Sequence, residues 1–317
     1  MKTSSPLLAA FALALLASAC SSTSSSNGTS SQTARAGGAG SKTIGVSIQD
    51  SEAQFYQQMQ AGMQNEAAKY GYKVVVVDAN RDNARQQQQV EDFISRKVDA
   101  IVLTPYDSKA IGSAITEANK ANIPVFTADI ANASKQGIVV SHIASNNEQG
   151  GAQAGTLMCK ALGGSGSVAI LDEPEVTSVQ DRVKGFKAAL AQHCPNVKVV
   201  ADTDSNGSRT KASNDMSDLL QAHADLKGVF GINDDSALGA VTAIKTANKT
   251  GIAVVGYDAA PDARAAIKNG QMYGDAIQHP DQIGKLTIDA IHNYFGGKKI
   301  AKMYAVPVGT FTKADAK

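Results

Sequence analysis

The chain has 317 residues, of which 43% are hydrophobic and 19% charged, and its formal net charge is +1. This near-neutral balance argues against a nucleic-acid-binding protein, which needs a clustered basic surface. Residues 42–317, which follow a segment of low complexity, are enough for one large or two medium-sized domains.

Residues 1–20 have the layout of an export signal. Lys2 gives a short positive start, an apolar run extends from Pro6 to Leu16, and small residues then lead to Cys20. The apolar run is too short to span a membrane as a helix. Because the segment ends in a cysteine, it resembles a bacterial lipoprotein signal, in which that cysteine is lipidated and becomes the new N-terminus. The alternative is an ordinary secretory signal that happens to contain Cys20. Both place the mature chain outside the cytoplasm.

Residues 21–41 consist almost entirely of small and polar residues and contain no large apolar side chain. Such a composition cannot bury enough surface to offset the entropy lost on ordering, so we expect a flexible tether. A lipidated Cys20 followed by this tether would anchor a folded body at a membrane surface without inserting it.

From residue 42 onward, short β-branched runs alternate with amphipathic stretches of helical periodicity. The uninterrupted apolar run Val74–Val77 is typical of a strand covered on both faces. Repeated strand–helix alternation predicts right-handed βαβ units and a parallel, doubly wound sheet. The predicted elements are strand Thr43–Ile48, helix Phe55–Tyr70, strand Val74–Val77, helix Ala84–Arg96, strand Ala100–Leu103, helix Ser108–Ala121 and strand Pro124–Thr127.

A second series of the same kind begins after Asn146. Two successive doubly wound sets predict an α/β protein of two similar lobes. The predicted elements are helix Gly150–Leu162, strand Ser167–Leu171, helix Ser178–Gln192, strand Lys198–Ala201, helix Lys211–Ala222, strand Gly228–Gly231, helix Ser236–Ala247 and strand Ala253–Tyr257.

Five loops that follow strands concentrate carboxylates, amides and aromatic rings. Ligands of parallel sheets bind outside the carboxyl ends of the strands, so these loops are the candidate binding site. Carboxylates and amides can each form paired hydrogen bonds with neighbouring hydroxyl groups, and an aromatic face can pack on a sugar ring. Alternatively, Asp129 and Asp258 cap helices and Phe55 and Tyr56 belong to the core. The loops are residues 49–56, 104–107, 128–130, 233–235 and 258–262.

Cys159 and Cys194 form a disulfide candidate in an oxidising compartment, although two free buried thiols are the alternative. The sequence contains neither a Gly-x-Ser-x-Gly nucleophile motif nor a Gly-x-x-x-x-Gly-Lys phosphate loop. Its five histidines have no metal-ligand spacing. We therefore expect a binding protein without cofactor or metal, and not an enzyme.

From residue 42 to the end, the chain resembles the periplasmic sugar-binding proteins of the ribose and galactose type that serve ABC importers. This resemblance implies two Rossmann-like lobes joined by three crossings near 141–146, 276–279 and 306–309. The lobes would comprise residues 42–143 with 279–306, and 144–278 with 307–317. The segments that carry the resemblance are Val139–Asn147, Val229–Asp235, Val254–Asp258 and Ile277–Gly284.

The resemblance also implies a set of ligand-binding residues. Phe55 and Tyr56 match aromatic residues at the sugar ring, and Asp129 matches the acid of the first lobe. Asn233 and Asp258 match the amide and acid of the second lobe, and Gln278 matches the hinge amide.

Several positions depart from the ribose-type pattern. Ile130 stands in place of one arginine, Gln180 in place of another with Arg182 one helical step away, and Thr104 in place of an asparagine. With two guanidinium groups lost, the pocket is expected to be less polar, which favours a deoxysugar or a sugar alcohol over ribose. Thr104, Ile130, Gln180 and Arg182 complete the candidate site.

The expected partners are a sugar or polyol ligand and the membrane permease of an ABC importer, with the protein itself a monomer. An alternative is a sensor that presents its ligand to a receptor kinase or chemoreceptor, and another is a binder of a non-sugar small molecule. Sugar repressors share this two-lobed core, but no helix-turn-helix precedes residue 42. An exported chain also cannot meet DNA.

Overall fold

The computed structural model describes residues 41–316. The predicted signal, Cys20 and all of the tether except Ser41 therefore lie outside the described residues. Within the described part of the chain, no helix is both long and apolar enough to cross a membrane.

The described residues form twelve strands and nine helices. The strands are β1 (Thr43–Ile48), β2 (Lys73–Asp78), β3 (Ala100–Leu103), β4 (Val125–Ala128), β5 (Val139–Ser145), β6 (Ser165–Asp172), β7 (Asn196–Asp204), β8 (Leu226–Gly231), β9 (Ala253–Asp258), β10 (Gly274–Ile277), β11 (Met303–Val306) and β12 (Gly309–Thr312). The helices are α1 (Gln54–Lys69), α2 (Asn83–Ser95), α3 (Gly112–Lys120), α4 (Asn147–Ala161), α5 (Thr177–His193), α6 (Arg209–Ala222), α7 (Asp234–Thr246), α8 (Pro261–Lys268) and α9 (Pro280–Phe295).

The strands assemble into two six-stranded sheets, one in each lobe. The N lobe sheet has the order β11-β5-β4-β3-β1-β2 and is parallel throughout. The C lobe sheet has the order β12-β10-β9-β8-β6-β7, in which only β12 runs antiparallel to its neighbour. The chain passes between the lobes after β5, after β10 and after β11. The predicted α/β class with two doubly wound lobes and three crossings is therefore confirmed.

Central strands are buried on both faces. The run Val74–Val77, for which the sequence predicts the same, is only partly buried because β2 lies at the edge of the sheet. In β1, Ile44, Val46 and Ile48 pack with α1 and α9, while Gly45 lies under the ring of Phe93. A methyl group at Gly45 would come within 2.7 Å of that ring, so glycine is required by the close approach.

Helices α4 and α5 of the C lobe pack through glycines. A Cβ atom at Gly151 would overlap the carbonyl oxygen of Arg182, and one at Gly185 would overlap that of Glu148. The two backbones can therefore lie close together only because these positions lack side chains. The contact fixes α5, and with it Arg182, relative to the sheet. Cys159 of α4 and Cys194 at the end of α5 are joined by a disulfide.

Some helix boundaries differ from those predicted. The helix predicted from Ser108 begins at Gly112, because the carboxylate of Asp107 accepts hydrogen bonds from the amides of Lys109 and Ala110 and forms a turn there. In contrast, α4 begins earlier than predicted, at Asn147, because the side chain of Asn146 caps it.

Candidate functional site

A polar cavity of about 30 Å³ lies between the carboxyl ends of the two sheets. Phe55, Tyr56 and Asp129 line it from the N lobe, and Asn233 and Asp258 line it from the C lobe. Five of the six residues of the principal predicted set are thus brought together. A larger groove of about 480 Å³ lies elsewhere on the C lobe and is lined mainly by apolar residues and two lysines. Of these two cavities, only the smaller is lined by polar groups from both lobes. We therefore treat it as the candidate site.

The N lobe wall is built at the start of α1 and the end of β4. Phe55 and Tyr56 lie in the first turn of α1, with their rings edge to face and 5.2 Å apart. The hydroxyl of Tyr56 donates to Oε1 of Gln49 at 2.6 Å and lies 3.3 Å from Oδ2 of Asp129. Burial raises the pKa of the Asp129 carboxyl, while the positive charge of Arg182 acts in the opposite direction.

Asp129 also has an unusual backbone conformation, with φ at +64°. Its amide is bonded to the carbonyl of Ile143, and no helix follows it directly. Left-handed backbone at a residue other than glycine is costly and tends to occur at functional sites. The alternative in which Asp129 caps a helix is therefore not observed.

Arg182 of α5 reaches the cavity from the C lobe and faces Asp129, with Nη2 3.9 Å from Oδ1. Its Nε donates to Oδ1 of Asn147 and its Nη1 to the carbonyl of Ile232, both at 2.9 Å. The guanidinium lies 4.0 Å from the centre of the Tyr257 ring. These contacts hold a buried cation opposite a buried carboxylate of the other lobe, so the pair depends on closed lobes.

Asn233 has two roles at once. Its Oδ1 accepts from the amide of Ser236 and so caps α7, while its Nδ2 donates to the carbonyl of Gly207 at 3.0 Å. Asn233 therefore caps α7 and lines the cavity at the same time.

Asp258 ends β9 with φ at +123°, and Ala259 follows with φ at +56°. Oδ1 of Asp258 accepts from Nε2 of Gln278 at 2.8 Å. Gln278 is buried but does not line the cavity, so it orients Asp258 from behind. Asp258 does not cap the following helix, because the amide of Ala260 donates to Asp234 instead.

Three buried carboxyl groups cluster on this side of the site: Asp234, Asp258 and Asp275. Burial raises the pKa of all three, and repulsion between neighbouring carboxylates raises each pKa further; that of Asp275 reaches about 8. Neither oxygen of Asp275 has a hydrogen-bond donor at good geometry, although the carboxyl of Asp234 and the amide of Ala259 lie nearby. A proton shared between Asp234 and Asp275 would satisfy this arrangement.

Among the additional candidates, Ile130 and Arg182 line the cavity, whereas Gln180 and Thr104 do not. Gln180 is exposed and donates to the carbonyl of Pro174. Thr104 is fully buried, and its carbonyl accepts from Gln86. The structure therefore does not bring these two residues to the cavity.

The cavity nevertheless carries charged side chains, because Arg81, Glu173 and Arg182 all line it. Val179 and Arg182 lie three residues apart on the buried face of α5, whereas Gln180 lies on its solvent face. An arginine in the otherwise apolar stripe of that helix is the sequence signal that identifies the guanidinium of the site.

Sequence reasoning also missed Gln49 and Arg81 as cavity residues. Gln49 directly follows β1, and Arg81 lies in the loop after β2, which the prediction did not include among the candidate loops. Glu173 directly follows β6. All three therefore obey the rule that ligand sites form at the carboxyl ends of parallel strands. Among the described residues, no group of histidines, cysteines and carboxylates could hold a metal ion.

Known proteins resemble this chain in sequence and in fold. The model of a family described as "Periplasmic binding protein domain" matches residues 44–299. The chain is similar to a ribose import binding protein of Bacillus subtilis, with 37% identity over 267 residues, covering 84% of this chain and 86% of that protein. It is also similar to a xylitol-binding protein of Mycolicibacterium smegmatis, with 31% identity over 240 residues, covering 75% of this chain and 68% of that protein.

Among solved structures, an ABC transporter periplasmic solute-binding protein from Actinobacillus succinogenes with bound D-allose superposes with a TM-score of 0.80 at 28% identity. The match covers 87% of this chain and 99% of that chain. A solute-binding protein from Bacillus halodurans with bound myo-inositol also has a TM-score of 0.80 at 28% identity, covering 88% and 97%.

Proposed function

The chain belongs to the periplasmic binding protein family, and we propose that it is the solute-binding protein of an ABC importer, which binds a monosaccharide or a related polyol between its lobes. The observation that carries this proposal is the convergence of Asp129, Arg182 and Asp258 on one cavity beside the rings of Phe55 and Tyr56. Its relatives are binding proteins, and we propose no catalytic activity for it.

The chemistry of the cavity suits a hydroxylated ligand. Asp129 and Asp258 supply carboxylate acceptors from opposite lobes, and Arg182 supplies charge-assisted donors. The rings of Phe55 and Tyr56 supply an apolar surface for the C–H groups of a sugar. Because Arg182 supplies a guanidinium group at the cavity, a fully hydroxylated sugar or polyol fits this site better than a deoxysugar.

We propose that the ligand stabilises the closed form of the protein. The three crossings are the only covalent links between the lobes within the described residues, so a small change at each can open the cleft. A ligand that contacts both lobes lowers the free energy of the closed form alone and so shifts the population towards it. The closed form would then be recognised by the permease.

The remaining expectations complete this proposal. Lipidation of Cys20 and a flexible tether over residues 21–41 would hold the monomeric protein at the outer face of a membrane. Residues 42–143 with 279–306 and residues 144–278 with 307–317 would be the two moving bodies.

Isothermal titration of the purified protein with D-ribose, D-allose, xylitol and myo-inositol tests the proposal. At least one probe should bind and raise the melting temperature. The Asp258→Ala variant should bind that probe more weakly by about 2–4 kcal/mol, because a charged acceptor is lost from a dry site. Asp218→Asn, on the exposed face of α6, is the matched control and should bind normally. A protein that binds none of the probes would contradict the proposed ligand class.

A further inference from the structure

Arg81 and Glu173 form a second ion pair across the cleft, at the end of the site where Asn233 lies. Nη1 of Arg81, from the N lobe, lies 3.3 Å from Oε1 of Glu173 of the C lobe. Arg81 also donates to two further C lobe acceptors, the carbonyl oxygens of Asn206 and Gly207. Within its own lobe, Nη2 of Arg81 lies 2.7 Å from Oδ2 of Asp50, which fixes the guanidinium from behind.

Glu173 is held equally firmly. Its side chain is 5% exposed, and Oε1 accepts from Nε2 of Gln49 at 2.5 Å in addition to its contact with Arg81. Burial raises the pKa of Glu173 to about 7, and the charge of Arg81 opposes that rise. A buried carboxylate without its cation is strongly destabilising. Displacement of Arg81 by a ligand would therefore cost binding free energy.

The pair occupies space directly beside Asn233. A Cβ atom built on Gly207 would lie 2.6 Å from Oε2 of Glu173, 3.0 Å from Nδ2 of Asn233 and 3.1 Å from Nη1 of Arg81. Side chains from three different loops therefore converge on one point, which leaves no room there for a further group.

We propose that Arg81 and Glu173 are specificity-determining residues, which limit the size of the ligand at the Asn233 end of the cleft. The inference rests on the proposed function. A compact five-carbon ligand can bind with the pair intact. A six-carbon ligand that extends towards Asn233 must break the ion pair and leave Glu173 buried without its cation.

D-ribose and D-allose are matched probes for this proposal. The pyranose form of allose repeats the ring hydroxyl configuration of ribopyranose and adds one hydroxymethyl group. We expect titration calorimetry to show that the unmodified protein binds ribose at least about tenfold more tightly than allose, the discrimination that one such group permits. In the double variant Arg81→Ala with Glu173→Ala, this ratio should fall by about tenfold.

Two further variants separate size from other effects. Glu173→Gln preserves the shape of the side chain but removes the ion pair, so its preference for ribose should lie between those of the unmodified protein and the double variant. Removal of an exposed arginine–aspartate pair remote from the site, by Arg96→Ala with Asp92→Ala, should change neither affinity. If circular dichroism shows that the double cleft variant does not fold, Arg81→Ala alone is measured, and the ratio should move in the same direction.

The outcomes distinguish this inference from the proposed function. Binding of ribose with an unchanged ratio in the cleft variants would overturn the size limit and leave the proposed function intact. A preference for allose in the unmodified protein, or loss of discrimination in Glu173→Gln, would also overturn it. If the unmodified protein binds none of ribose, allose, xylitol and myo-inositol, both the inference and the proposed ligand class are wrong.

Discussion

The substitution Asp275→Asn should make the protein more stable at alkaline pH. Asp275 is fully buried beside Asp234, and its pKa is raised from 3.8 to about 8. The folded protein therefore keeps a proton that the unfolded chain loses above about pH 4. Since the pKa is higher in the folded state, the stability that this proton provides is present at low pH and is lost as the pH rises towards 8. Asparagine is neutral throughout, and its amide can donate to Asp234.

The size of the effect follows from the pKa shift. At 1.36 kcal/mol for each pKa unit, a rise from 3.8 to about 8 has an upper limit of about 6 kcal/mol. Asp234 and Asp275 are coupled, and either can carry the shared proton, so we expect a gain of about 2 kcal/mol above pH 8. For a protein with lobes of this size, that gain corresponds to a rise in melting temperature of about 5 °C.

Scanning calorimetry at about pH 5 and about pH 9 measures this difference. The variant and the unmodified protein should melt at similar temperatures at the lower pH and differ at the higher pH. Asp218→Asn, an exposed substitution of the same chemistry, should follow the unmodified protein at both. If Asp275→Asn loses stability with rising pH as steeply as the unmodified protein does, the assignment of a raised pKa to Asp275 is refuted.

Three further predictions concern the C lobe. Arg182→Met should weaken the binding of the best sugar probe by about 2–5 kcal/mol in calorimetry, because Asp129 loses its cation, and normal affinity would contradict the cross-cleft pair. Replacing both Cys159 and Cys194 by serine should lower the free energy of unfolding in urea by about 2–4 kcal/mol, since the bridge closes a loop with a sequence separation of 35; equal denaturation midpoints would count against it. Gly151→Ala should destabilise the protein by about 1–3 kcal/mol and weaken sugar binding together, because the added methyl group pushes α4 away from Arg182, and an unchanged melt would disprove that contact.

Much of the architecture was predictable because the central strands are short, buried on both faces and separated by amphipathic helices. The run Ala100–Leu103 is fully buried and indicates a central parallel strand without reference to any other part of the chain. The run Val74–Val77 also indicates a strand, but β2 lies at the edge of the sheet and these residues are only partly buried. Strands β10 and β11 have only four residues each. Their strand conformation depends on pairing with neighbouring strands, so local composition identifies them poorly. Strand β5 (Val139–Ser145) was not among the predicted elements, although the segment Val139–Asn147 carried the family resemblance.

The candidate site was predictable only in part. Residues at the carboxyl ends of strands, such as Asp129 and Asp258, could be selected because parallel strands all end at the same edge of the sheet. Arg81 and Glu173 could not be paired from the sequence, since 92 residues separate them and only the closed arrangement of the lobes brings them together. Choosing Arg182 over Gln180 requires the rotation of α5 about its axis, which the burial of its neighbours determines.

The passage of the chain between the sheets has a consequence for its synthesis. The N lobe needs β11 and α9, which come from residues 280–306, and the C lobe needs β12 at residues 309–312. A nascent chain that ends before these segments leaves one edge strand unpaired and one face of the N lobe sheet uncovered. Neither lobe can therefore complete its fold until almost the whole polypeptide has been made. If the chain is exported as residues 1–20 predict, this late completion would keep it unfolded for passage through a secretion channel.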